Sequence, residues 1–139
     1  MIKSLFRFIF LSILLVAGLP AVVSSNGWAL DRPTVKNISA PQFVRMMDHK
    51  DFTLINVHIP YEGEIEGTDL LIPFNQIDRH RAKLPRDKHK KIVVYCISGP
   101  MGYYAADKLT SMGYTRVIHF EGGMKAWSRS GRPLKTRQK

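Results

Sequence analysis

The chain has 139 residues, 45% hydrophobic and 23% charged, with a formal net charge of +10. That is the length of one domain, with an apolar share large enough for a core, which excludes a disordered chain. The single Cys excludes an intramolecular disulfide framework and any Cys-rich zinc or iron–sulfur site, while the basic balance admits nucleic acid, an anionic membrane or small anions without choosing among them.

Residues 1–29 carry Lys3 and Arg7 and no acid, and from Phe8 to Val16 they read FIFLSILLV. A short basic start, an apolar run and small residues after it predict a secretory signal peptide over 1–29, cleaved after Ser25 or Ala29. The competing reading is an uncleaved membrane anchor, for which the 16 residues from Phe8 to Val23 fall short of a span of about 20. Either reading puts residues 30–139 outside the cytoplasm, in the periplasm, with membrane association open and nucleic acid not expected. Those 110 residues keep a charge of +8, and a domain of that size buries roughly 60–70% of its unfolded surface.

From there the elements follow in order. A short strand ends at Ile38. Ser39 and Gln42 form a capping box with Pro41 in the first turn, which predicts a helix over Ala40–Met47 that buries Phe43, Met46 and Met47. Phe52–Val57 reads as a central strand and Pro60–Asp69 as a loop broken by Gly63 and Gly67. Leu70–Pro73 is a short strand, and Asn75 caps a helix through Lys83 that Pro85 ends. Ile92–Tyr95 (IVVY) is an apolar run typical of a buried parallel strand. Cys96–Gly102 is a loop, and Tyr103–Met112 a helix with Ala105, Leu109 and Met112 on one face and Gly113 as its C-terminal cap. Thr115–Phe120 is a last strand, turned by Gly122-Gly123 into a helix with Met124 and Trp127. The alternation predicts an α/β fold, a parallel sheet of about five strands with helices on both faces.

The chemistry gathers after the IVVY strand. Ligands of open α/β sheets bind beyond the carboxyl ends of strands, and a loop of backbone amides entering a helix there makes an anion site. The amides from Ile97, Ser98, Gly99, Met101 and Gly102 would form it, with Pro100 stiffening the turn but supplying no N–H. A thiol at Cys96 in such a cradle is suited to nucleophilic attack or to carrying a sulfur atom as an anionic persulfide. Position alone leaves a second reading open, that Cys96 is a small buried hydrophobe. Seven Lys or Arg in 79–91 and five in 129–139 read as solvated surface, or as steering for anions. The five His form no metal-ligand pattern. His119 reads as a packed strand-end residue, with the Cys96 loop within its reach as the alternative.

Five segments, in this order, carry a resemblance to a known family. They are Leu54-Ile55-Asn56-Val57-His58; Gly63-Glu64-Ile65-Glu66-Gly67-Thr68 with Ile72-Pro73; Tyr95-Cys96-Ile97-Ser98-Gly99; Tyr104-Ala105-Ala106 with Leu109, Gly113-Tyr114 and Val117; and Glu121-Gly122-Gly123 with Trp127, Gly131 and Pro133. The set resembles the single-domain rhodanese-like (sulfurtransferase) family over roughly 100 residues. The resemblance implies a rhodanese-like fold with Cys96 as the catalytic sulfur acceptor, and an anion-binding loop from Ile97 to Gly102. It implies a small anionic donor such as thiosulfate, a thiol or cyanide as acceptor, and no metal or organic cofactor. Three departures qualify it. Met101 stands where the family's loop usually has Arg, the natural fork for a sulfonate group, and Gly102 where Ser or Thr is common. Asn56 and His58 replace the usual Asp and Arg, with a structural role near the site; a base role for His58 is the alternative. Glu64 stands where His is common, and with Glu62 and Glu66 it reads as a solvated loop face. The alternative function is a catalytically weak rhodanese-like binding module. A phosphatase or arsenate reductase of similar fold would need Arg where Gly102 stands.

Overall fold

Alternation within the apolar strands determines how the sheet is covered. The computed structural model describes residues 34–136, so the targeting segment expected at 1–29 lies outside the described residues. The elements are β1 (Lys36–Ile38), α1 (Ala40–Asp48), β2 (Thr53–Asn56), β3 (Leu70–Leu71), β4 (Ile92–Tyr95), α2 (Pro100–Ser111), β5 (Val117–Phe120) and α3 (Gly123–Arg129). All four residues of β4 are buried. Ile92 and Val94 pack on one side with Ile55, Val57, Ala105, Ala106 and Leu109. Val93 and Tyr95 pack on the other with Leu54, Phe43, Phe120 and Trp127. Only a strand covered on both faces uses its two-residue period this way. The sheet has the order β1-β5-β4-β2-β3, and every pairing is parallel. α2 covers one face; α1 and α3 cover the other, where the Phe43 ring stacks on Phe120 at 4.3 Å and meets Trp127 edge-on at 5.6 Å. Parallel pairing brings Ile38, Asn56, Tyr95 and Phe120 to one edge, where strands hand over to loops.

In α1, Gln42 Oε1 accepts hydrogen bonds from the Ser39 amide at 2.8 Å and its hydroxyl at 3.0 Å. Phe43 is fully buried, whereas Met46 and Met47 are half-buried.

Strand ends differ from the sequence expectation by one or two residues, with β3 stopping at Leu71 and β5 starting at Val117, and two differences are larger. The helix expected over 75–83 is instead a pair of 3₁₀ turns, Phe74–Gln76 and Asp78–Lys83, with a break at His80 (φ −105°, ψ 25°). Only Ile77 and Leu84 are buried across this stretch, so it lacks a continuous apolar stripe, and an α-helix would stack Arg79 over Lys83. The second difference is the start of α2, at Pro100 rather than Tyr103. Proline's fixed φ and missing N–H suit the first helical position. Pro100, Met101 and Gly102 therefore belong to the first turn of α2, and the loop proper is Cys96–Gly99.

Candidate active site

Cys96 leaves β4 at the carboxyl edge, 1% exposed and on the α2 face. Its Sγ accepts a hydrogen bond from the Gly99 amide at 3.0 Å. Gly99 has φ +134°, a conformation open to glycine, and this lets the chain double back over the sulfur. The Cys96 and Ile97 carbonyls accept from the amides of Met124 and Lys125 at 2.9 and 3.0 Å. Because a trans peptide points its N–H opposite to its C=O, the Ile97 and Ser98 amides are turned away from α3. The first turn of α2 adds the Met101 and Gly102 amides, which have no acceptor inside their own helix. The Gly99 amide is thus aimed at sulfur beside the N-terminus of α2, where further backbone donors lack helical partners.

α3 reaches this loop only because Gly123 is glycine. A Cβ there would lie 2.0 Å from the Cys96 carbonyl oxygen. The sequence suggested only a tight turn at Gly122-Gly123; the second glycine also permits backbone contact with the Cys96 loop. Met101 is half-buried and packs against the apolar cluster under α2, so its position brings no positive charge to the loop.

Asn56 ends β2 beside β4. Its Nδ2 donates to the Gly63 carbonyl and its Oδ1 accepts from the His58 amide, both at 3.0 Å, tying together the two ends of the loop after β2. The His58 side chain is 6% exposed; Nε2 lies 3.7 Å from Glu62 Oε1, and neither ring nitrogen makes a hydrogen bond. Glu64 forms a backbone bridge with Lys135 in both directions at 2.8 Å, and the Glu66 carboxylate pairs with the Lys135 ammonium. Behind this loop Tyr95 Oη accepts from the Ile65 amide at 2.9 Å, and burial pushes its phenol up to about 12.

On the other side of β4, His119 is both buried and against the loop. Its ring fits beneath the first turn of α2 because Gly102 has no side chain: a Cβ there would lie 2.8 Å from His119 Cδ2 and Nε2. Nδ1 is 3.0 Å from Asn37 Oδ1, while Nε2 is buried with no hydrogen-bond partner. Burial pulls the imidazole below its ordinary value, opposed by the Gly99 carbonyl and Glu121. A cavity of about 480 Å³ opens here, lined in part by Ser98, Gly99, Pro100, Tyr103, His119 and Glu121. The basic stretch 79–91 does not converge on Cys96: Lys91 pairs with Asp51 at 2.7 Å just before β4 begins, at the opposite edge of the sheet. Among the described residues no group of three His, Cys, Asp or Glu is arranged to hold a metal ion.

Comparison with known proteins gives a family. The model of the rhodanese-like domain matches residues 39–130. A sulfurtransferase of Allochromatium vinosum is 34% identical over 93 residues, which are 65% of this chain and 84% of that protein. A tRNA uridine(34) hydroxylase of Erwinia tasmaniensis is 32% identical over 104 residues, and the match spans only 29% of its length. Among solved structures, a rhodanese-related protein from Thermoplasma volcanium has a TM-score of 0.61 at 26% identity, over 71% of this chain and 96% of that one. Most of the folded chain, from the Ser39 cap to the end of α3, is thus accounted for by one domain type, and the chain belongs to the rhodanese-like domain family.

Proposed function

We propose that the chain is a sulfurtransferase that carries sulfane sulfur as a persulfide on Cys96, from a thiosulfate- or polysulfide-type donor to a thiol or cyanide. The observation that carries this reading is the Gly99 amide donating to Cys96 Sγ at 3.0 Å among further amides at the start of α2. Fixed donors of this kind stabilise negative charge developing on sulfur and cost no reorganisation when it appears. The sulfurtransferase of Allochromatium vinosum, matched over 84% of its length, supports the same chemistry.

With thiosulfate, the Cys96 thiolate attacks the outer sulfur. A Cys96–sulfur bond forms, the bond to the sulfite sulfur breaks, and its electron pair leaves with sulfite. The acceptor thiolate or cyanide then attacks the terminal sulfur of the persulfide and returns Cys96 as thiolate. One transfer becomes two covalent steps, and neither step needs an external oxidant or reductant. Ile97, Ser98, Gly99, Met101 and Gly102 act through their amides, while Pro100 shapes the turn. Asn56 and His58 have a structural role beside the site. The acid-free, apolar first 29 residues support export, so the reaction runs outside the cytoplasm, in the periplasm, with the N-terminal segment cleaved or retained as an anchor.

Met101 supports a second reading, a catalytically weak module that binds a partner or a sulfur-bearing ligand, because the loop lacks a cationic fork for sulfonate. Intact mass after incubation with thiosulfate or polysulfide separates the two. The sulfurtransferase gains one sulfur that Cys96→Ser does not gain. An unchanged mass with both donors rejects the enzyme and leaves the binding module.

A further inference from the structure

The inference rests on the sulfur-carrier reading above and concerns a residue outside the Cys96 loop. His119 of β5 lies beside Val94 of β4 and opposite Asn37 of β1, on the face covered by α2. Its ring occupies the space of a side chain at Gly102, and a Cβ built there would touch both His119 Nε2 at 2.8 Å and the Cys96 amide nitrogen at 3.5 Å. Gly102 and His119 are thus a fitted pair, and the imidazole lies under the turn that begins over Cys96. With Asn37 Oδ1 opposite it, Nδ1 carries the proton of the neutral ring, and Nε2 presents a buried lone pair with no donor. Nearly all buried polar atoms in proteins are paired, so such an orphan calls for an explanation. The Gly99 carbonyl, which favours the charged ring, accepts from the Tyr103 amide at 3.0 Å and belongs to the residue whose amide donates to Cys96 Sγ.

We propose that His119 is a positioning residue for the loaded state: when the Cys96 thiol becomes an anionic persulfide, His119 takes up a proton and donates Nε2–H to the Gly99 carbonyl. It acts through Gly99, fixing the loop whose amide holds the sulfur, and supplies beneath the loop the positive charge that Met101 does not supply. Loading releases the proton of the Cys96 thiol to solvent and His119 takes one up from solvent, so the two balance, and no bond to sulfur is made or broken by the imidazole. The groups facing the ring permit this. Tyr103 of α2 is edge-on at 6.3 Å between ring centroids, Asn37 of β1 is neutral, and Val94 of β4 is apolar. Glu121, just past β5, favours the charged ring. In the free chain burial outweighs the Gly99 carbonyl and Glu121 and holds the imidazole below its ordinary value.

The sign of the coupling follows from proton counting. The His119 contribution to loading favours low pH, while the proton released by the Cys96 thiol favours high pH whether or not His119 is present. The His119 contribution is complete below the free-state midpoint and is lost as pH rises through the loaded-state midpoint.

The test uses the full chain with isotope-labelled histidine. The His119 ring signal, assigned through backbone connectivities, is titrated before and after thiosulfate treatment, with loading verified by intact mass. The expected result is an upward move of the His119 midpoint by about one pH unit on loading. Cys96→Ser with thiosulfate shows no such move. His119→Gln, as a second readout, loads less than wild type at low pH and matches it above the loaded-state midpoint. A loaded chain whose His119 midpoint stays in place overturns the inference and leaves the carrier reading intact. A chain that gains no sulfur from thiosulfate or polysulfide overturns both.

Discussion

At residue scale the site is a balance between what the Cys96 loop keeps and what it lacks. It keeps a buried sulfur with an amide at 3.0 Å and a glycine in a conformation open to glycine at position 99. It lacks a cation at position 101, where an apolar side chain packs into the cluster under α2. A charge-assisted hydrogen bond to a sulfonate contributes about 1.5–3 kcal/mol. Met101→Arg is therefore expected to raise the rate of sulfur loading from thiosulfate roughly tenfold, which corresponds to about 1.4 kcal/mol, in a stopped reaction read by mass. Its effect on loading from an uncharged organic trisulfide is expected to be small. Equal effects on both donors would mean that the missing guanidinium is not what limits thiosulfate.

At the scale of elements, α3 does more than complete the fold. Its first amides fix the carbonyls of Cys96 and Ile97, and this contact turns the Ile97 and Ser98 amides away from α3. Gly123→Ala would push a methyl to 2.0 Å from the Cys96 carbonyl. The expected cost is roughly 3 kcal/mol of unfolding free energy in urea, together with loss of loading in whatever fraction stays folded. Full stability and full loading in that variant would mean that the α3 contact does not set the loop. Much of this level was legible in the sequence. The IVVY run of β4, the capping box of α1 and the glycine turn before α3 are local signals, and each falls where it was read, to within a residue or two. The segment 75–83 was not legible, because the buried residues that anchor it, Ile77 within it and Leu84 just after it, suit 3₁₀ turns as readily as a helix. Pro100 could have marked the start of α2, since proline favours that position, but the glycines around it read as loop.

At the scale of the molecule, parallel pairing brings together what the sequence keeps apart. Asn37, Cys96 and His119 span more than half the chain, and meet only because β1 pairs with β5 and β5 with β4. The fit of Gly102 to His119 depends on that register, which no local pattern encodes. Asn56 could be read near the site only through the family resemblance, while its grip on Gly63 and His58 comes from the fold. The same topology puts the catalytic candidate at one edge of the sheet and Lys91 with its ion pair at the other. The two covalent steps proposed at Cys96 each leave a product of their own. The most direct test measures both products in sequence. The account predicts that wild-type chain mixed with thiosulfate alone releases close to one sulfite per chain, that cyanide added after thiosulfate is removed yields an equal amount of thiocyanate, and that Cys96→Ser yields neither. Sulfite that appears only when cyanide and thiosulfate are present together would contradict it.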